Sequence, residues 1–138
     1  MYSVTKRIEF CYGHRLLDYD GACRHPHGHN ALAEIEVRSE ALDRRNMVVD
    51  FGDIKRIVKG WIDEQLDHKM VLRHDDPLVT ALQAMGEPVF VVDSNPTAER
   101  IARLLALRRH VPSRRFDGAE KNGRDRVLDV GLGDPFTG

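Results

Sequence analysis

The chain opens on an alternation. From residue 2 to residue 14, Tyr2, Val4, Ile8, Phe10 and Tyr12 share one parity, and Ser3, Thr5, Arg7 and Glu9 share the other. Period two with aromatic and β-branched residues predicts a half-buried strand. His14 has the apolar parity and extends the buried face, whereas Lys6 interrupts it, as a residue at a sheet rim or an interface does. A second alternation over 27–38 sets Ala31, Ala33, Ile35 and Val37 against Glu34, Glu36 and Arg38. His27 and His29 again carry the apolar parity. Between the two runs, Asp18, Asp20, Gly21 and Pro26 mark a loop. Pairing the strands as antiparallel neighbours brings His14, at the end of one, beside His27 and His29 at the start of the other.

Helical spacing follows. Asp43 to Asn46 reads as a turn and Met47 to Phe51 as a short apolar stretch. Ile54, Ile57, Val58, Trp61, Ile62 and Leu66 then form the stripe of a core-facing helix from about Asp53 to Asp67-His68-Lys69. Asp53 suits its amino end. Residues 73–87 are mixed, with a turn of helix near 78–85, and Val89 to Val92 is a short apolar run. Asn95-Pro96 reads as a cap and first helical residue, opening a helix to about Leu107. Beyond it, only Val127 to Leu132 can form a strand. The predicted order is strand, strand, helix, helix and one weak strand.

Composition adds bounds. With 138 residues, 41% hydrophobic and 31% charged, the chain is expected to form one domain over 1–138, with a core that needs no staples. A net charge of −1 argues against a dominant nucleic-acid or membrane-surface role. No apolar run reaches the roughly 18 residues of a membrane span. The amino terminus carries no signal-peptide pattern. Cys11 and Cys23 therefore read as reduced thiols of a cytoplasmic protein.

The chemistry concentrates in Cys23-Arg24-His25-Pro26-His27-Gly28-His29, which holds three of the seven histidines. Imidazoles converging from two strand ends suit zinc, whose catalytic sites keep three protein ligands and one open position. His14, His27 and His29 make such a set. His25 competes by parity but precedes Pro26 in a loop, and a plain solvated loop is the bland alternative. Cys23 can serve as nucleophile, base or further ligand. Cys11, with nothing near it in sequence to lower its pKa, reads as a small packed residue. Asp67-His68 at a helix carboxyl end reads first as a capping histidine, although aspartate, histidine and a remote cysteine are also the parts of an activated thiol.

Five ordered motifs carry a resemblance. Phe10-x-x-x-His14, Cys23-x-x-x-His27-Gly28-His29-Asn30, Met47-Val48-Val49-Asp50-Phe51-Gly52-Asp53, Leu66-Asp67-His68 and Asn95-Pro96-Thr97-Ala98-Glu99 span roughly residues 2 to 107. Together they resemble the family of 6-pyruvoyl- and 6-carboxy-tetrahydropterin synthases. The resemblance implies an α+β tunnelling fold (T-fold), an antiparallel sheet with two helices packed on one face. It implies homo-oligomers, trimers or hexamers, with active sites at subunit interfaces. It further implies zinc on His14, His27 and His29, Cys23 as proton acceptor, Asp67 and His68 assisting proton transfer, and Thr97 and Glu99 facing substrate. The implied substrate is 7,8-dihydroneopterin triphosphate. Loss of triphosphate and acetaldehyde gives 6-carboxy-5,6,7,8-tetrahydropterin in the queuosine branch, and loss of triphosphate alone gives the pyruvoyl product. The compact Cys-x-x-x-His-Gly-His motif and the short chain resemble the queuosine branch more closely.

The tail departs from the family. Its members end on a strand reading roughly Val-x-Val-x-Glu-Thr, whose glutamate grips the pterin. Here the nearest run is Val130-Gly131-Leu132-Gly133-Asp134-Pro135, with Asp134 one methylene shorter and among glycines. A frameshifted or otherwise altered tail over 108–138 is the corresponding expectation, checked by translating the coding sequence beyond Leu107 in its other frames.

Overall fold

The computed structural model describes residues 1–106 and, as backbone, 127–133. Two long strands, β1 (Tyr2–His14) and β2 (His27–Ser39), pair antiparallel along their whole length, Tyr2 opposite Ser39 and His14 opposite His27. This is the pairing that parity predicts. On the apolar face lie Ile8, Phe10, Tyr12, Ala31, Ala33, Ile35 and Val37, all buried, while the opposite face is exposed or half-exposed.

A continuous helix over 51–65 covers the apolar face. It runs from an α-helical turn, Phe51–Ile54, through a π segment, Lys55–Lys59, into Gly60–Gln65. Asp50 caps it, accepting from Gly52 N–H at 2.8 Å, so the cap lies three residues before Asp53. The wider π turn rotates the predicted stripe. Ile54, Ile62 and Leu66 are buried, whereas Ile57, Val58 and Trp61 are only half-buried. Trp61 meets Phe90 edge-on, ring centroids 5.8 Å apart.

The sheet is wider and less uniform than expected. After the helix, β3 (Lys69–Arg73), a helix (Pro77–Ala84) and β4 (Val89–Val92) form a small strand–helix–strand crossover, and both strands join parallel. The antiparallel expectation therefore holds only for β1, β2 and β5 (Val127–Gly133), and the five-stranded sheet is mixed, ordered β4-β3-β1-β2-β5. A crossover helix returns the chain to the same sheet end, and this makes the strands parallel. The Lys69–Arg73 strand was not read from the sequence because Met70-Val71-Leu72 is a continuous apolar run without alternation, as suits a strand with Val71 and Leu72 wholly buried. The weak strand predicted at Val127 to Leu132 does form, against β2.

The last described helix, Ala98–Ala106, starts later than Asn95-Pro96 suggested. Thr97 caps it, its hydroxyl accepting from Arg100 N–H at 3.2 Å. Asn95 instead clamps the loop after β1. Its Oδ1 accepts from Leu17 N–H at 3.0 Å and its Nδ2 donates to Leu17 C=O at 2.8 Å. Among the described residues no helix is long and apolar enough to cross a membrane.

Two substitutions test this scaffold. Ile62, with no exposure, lies against the sheet, and Ile62→Ala is expected to cost about 2–5 kcal/mol in denaturant unfolding. Asp76, 3% exposed, takes both forks of the Arg15 guanidinium and caps the Pro77–Ala84 helix through Leu78 N–H. The Arg15 guanidinium is the main cause holding the Asp76 carboxyl below its ordinary range, against the opposing effect of burial. Asp76→Ala is expected to cost about 3 kcal/mol near neutral pH. Because the folded-state pKa is depressed, this contribution is complete above the ordinary carboxylate range and disappears as pH falls through the folded value. The wild-type and variant melting temperatures should converge on acidification.

Candidate functional site

The register places His14 opposite His27 and Tyr12 opposite His29. All four rings lie on the apolar face, where that face runs out at the sheet end. The three imidazoles sit mutually edge-on with centroids 4.6, 4.8 and 4.9 Å apart, a nearly equilateral triangle. Gly28, between His27 and His29, adds no side chain to the other face.

Backbone carbonyls set the tautomers. Because a carbonyl only accepts, His14 Nδ1 donates to Pro96 C=O at 2.6 Å and His27 Nδ1 donates to His25 C=O at 2.7 Å. Each Nε2 is then left with a lone pair turned inward. His27 Nε2 is buried without a hydrogen-bond partner. His14 Nε2 lies 3.1 Å from His29 Nε2. One ligand nitrogen of each ring lies within 4.8 Å of the others, and nitrogens around a tetrahedral zinc-sized ion are about 3.3 Å apart. An unpartnered buried nitrogen and ring N–H groups anchored on carbonyls are the signature of a cation site with its outer shell in place. Burial, with the neighbouring His27 and His29, lowers the His14 pKa against the opposing pull of its Pro96 bond. The direction of the shift favours the neutral imidazole, the form in which a histidine can bind a metal.

The helix start after Pro96 backs this centre. Tyr12 touches the His14 and His29 rings, with centroids 5.2 and 5.7 Å away. Its hydroxyl is pushed up to about 12, by burial and then by the Glu99 carboxylate. Thr97 shapes the turn carrying the Pro96 carbonyl, its N–H donating to Asn95 C=O at 2.9 Å. Pro96 is fully buried, so the carbonyl orienting His14 is set by the core.

Asp67 and His68 come together, but around Cys11. His68 Nδ1 lies 3.0 Å from Asp67 Oδ2. Asp67 Oδ1 accepts from Cys11 N–H at 3.0 Å and faces the Cys11 thiol at 3.8 Å, and His68 N–H donates to Cys11 C=O at 2.7 Å. Burial raises the Asp67 carboxyl, yet the Cys11 N–H and His68 bonds outweigh it and hold the group below its ordinary range. His68 has φ 59°, a left-handed conformation costing roughly 1–2 kcal/mol for a residue with a Cβ. This turn brings two consecutive side chains to one spot. The reading of Cys11 as an inert packed residue missed this contact, whose partners are 56 residues apart in sequence.

Cys23 sits half-buried in a short 3₁₀ turn, Ala22–Arg24, and joins neither cluster. His25 contributes its carbonyl to His27 and is itself exposed. Asp134 lies outside the described residues.

Comparison with known proteins places this geometry. The model of the 6-pyruvoyl tetrahydropterin synthase family matches residues 3–117. The chain belongs to that family. A 6-carboxy-5,6,7,8-tetrahydropterin synthase from Rickettsia conorii is 39% identical over 107 residues, covering 76% of this chain and 78% of the relative. One from Aquifex aeolicus is 32% identical, covering 99% and 94%. Among solved structures, an uncharacterized protein from Wolinella succinogenes superposes with a TM-score of 0.71 at 26% identity, covering 92% of this chain and 96% of that one. The Plasmodium falciparum 6-pyruvoyl tetrahydropterin synthase shares the fold, with a TM-score of 0.53 at 20% identity over 75% of each chain.

Divalent cation at a hundredfold excess over its Kd is expected to stabilise the metal-free chain by about 2.7 kcal/mol. Calorimetry should show this as a rise in Tm that His27→Ala reduces.

Proposed function

We propose that the chain is a zinc-dependent 6-carboxy-5,6,7,8-tetrahydropterin synthase, a lyase of the cytoplasmic queuosine route. It would act on 7,8-dihydroneopterin triphosphate with release of acetaldehyde and triphosphate. The observation that carries the reading is the cluster of His14, His27 and His29, whose ligand nitrogens lie within 4.8 Å of one another, with its buried and unpartnered His27 Nε2. The names of the curated relatives above support the product.

Each residue has a share in the proposal. His14, His27 and His29 hold zinc through Nε2, and their Nδ1 bonds to Pro96 and His25 keep two of the rings aimed. When bound, zinc supplies Lewis acidity toward the substrate's side-chain oxygens. Cys23 takes a side-chain proton as thiolate, and His68 returns one, with Asp67 orienting its ring. Thr97 and Glu99 face the pterin, and Asp134 is the candidate for the family's pterin-gripping carboxylate.

Cys23 and the Asp67–His68 pair are assigned to one reaction although they form no common cluster in the chain. The proposal therefore has them meet between copies, in a trimer or hexamer. The sheet supports this, since β3 pairs only with Tyr12 to His14 and leaves β1 with an unpaired edge below them among the described residues. Such an edge is a template for another strand.

Purified protein with zinc and dihydroneopterin triphosphate is expected to yield acetaldehyde and a carboxypterin. A pyruvoyl product moves the protein to the sister activity, and no turnover with zinc bound overturns the reading. Cys23→Ala should lower kcat by about 10²–10⁴-fold with zinc content unchanged. Loss of zinc in that variant would make Cys23 a ligand instead. Native mass spectrometry is expected to show three or six copies.

A further inference from the structure

Cys11, Asp67 and His68 offer a thiol, a carboxylate and an imidazole whose ligand atoms all lie within 4.8 Å of one another. The geometry points to a second cation site here, for a borderline-soft divalent ion of the zinc and cadmium class, on the face of β1 opposite the three histidines.

The donor set comes first. Thiolate with imidazole selects zinc-class ions over magnesium or calcium, and one carboxylate completes a three-ligand site with an open position. The spacings are close to those of a bound ion. Cys11 Sγ is 3.8 Å from Asp67 Oδ1, against about 3.6 Å for sulfur and oxygen on a tetrahedral zinc. His68 Nδ1 is 3.0 Å from Asp67 Oδ2, against about 3.4 Å. The two distances run to different oxygens of the one carboxylate, and the thiol and imidazole ligand atoms lie within 4.8 Å of each other.

The cluster is also built in advance. Cys11 N–H and C=O hold Asp67 and His68 respectively, and Asp67 N–H donates to Ile62 C=O at 2.8 Å. The left-handed backbone at His68 is the strained feature that turns both side chains to the thiol. Access is open, since the His68 side chain is 79% exposed and that of Asp67 28% exposed. Binding replaces the Asp67–His68 hydrogen bond and releases the Cys11 thiol proton to solvent, while the His68 ring carries its proton on Nε2 and binds through Nδ1. The site differs from the histidine centre in holding sulfur. Because Asp67 and His68 are assigned above to proton transfer, an ion here opposes turnover. That consequence rests on the proposed function, whereas the binding does not.

Cadmium titrated into the zinc-loaded full-length protein tests the site, with total metal by elemental analysis and the ultraviolet thiolate-to-cadmium charge-transfer band as readouts. Two ions per chain are expected, the second bringing the band. Cys11→Ser should abolish the band and Cys23→Ser should keep it. Asp67→Asn and His68→Gln should each weaken the second ion by about tenfold or more, and the exposed His68 makes that variant safe for folding. A total of one ion per chain, or a band that follows Cys23 rather than Cys11, overturns the proposal. Inhibition at the second equivalent is read separately. Binding without inhibition would count against the role given to Asp67 and His68, not against the site.

Discussion

Everything at the histidine centre depends on the register between β1 and β2. Side chains alternate along a strand, so a slip of one residue would send His27 and His29 to the face away from His14. The same slip would turn the apolar set of β2 into solvent. Burying Ile8, Phe10, Tyr12, Ile35 and Val37 contributes about 2 kcal/mol each. The sum, about 10 kcal/mol, is as large as the whole stability of a typical domain. Hydrophobic pairing far from the site therefore aligns the three histidines at its end.

Register alone sets positions, not ring orientation. Rotation is set by carbonyls, and the Pro96 carbonyl belongs to a turn 82 residues away from His14 in sequence. Two partners fasten that turn to the end of β1 and the loop after it, Pro96 on His14 and Asn95 on Leu17, and Asp76 adds a further tie on Arg15. His14, Arg15 and Leu17 are nearly consecutive, so the end of β1 is held from two later segments at once, at Asp76 and at Asn95-Pro96. The loop carrying Cys23 is tied to the same segment, through Leu16 N–H to Cys23 C=O at 2.8 Å. Loss of any one tie would loosen the aim of His14 before it loosened the fold.

Much of this was legible in the sequence, and the boundary follows from physics. Period-two alternation located both long strands and, through parity, the convergence of His14 with His27 and His29. The stripe from Ile54 to Leu66 located the main helix, although no pattern of apolar residues shows that its middle would widen into a π turn. The short buried strand β3 was not legible, because a fully buried strand has no polar face to create a period. Asn95-Pro96 looked like a helix start because those residue types favour one; tertiary contacts with Leu17 and His14 used the same groups instead. Cys11 was read as inert because its partners, Asp67 and His68, are near it only after β3 has docked beside β1.

The alternation that unites the histidines also separates them from Asp67 and His68. Cys11 and His14 have opposite parity on β1, and Asp67 and His68 meet Cys11 at the strand edge, in a cluster separate from the triangle of imidazoles. In the proposed assembly the separation would be resolved at His68. Its N–H donates to the Cys11 carbonyl on the edge where β3 pairs with Tyr12 to His14, so among the described residues the unpaired stretch of β1 begins where His68 stops. A strand from another copy laid along that stretch would end against Asp67 and His68. The pair would then face groups of the neighbouring chain, and a Cys23 and metal centre supplied from there would complete the reaction that one chain divides between separate clusters.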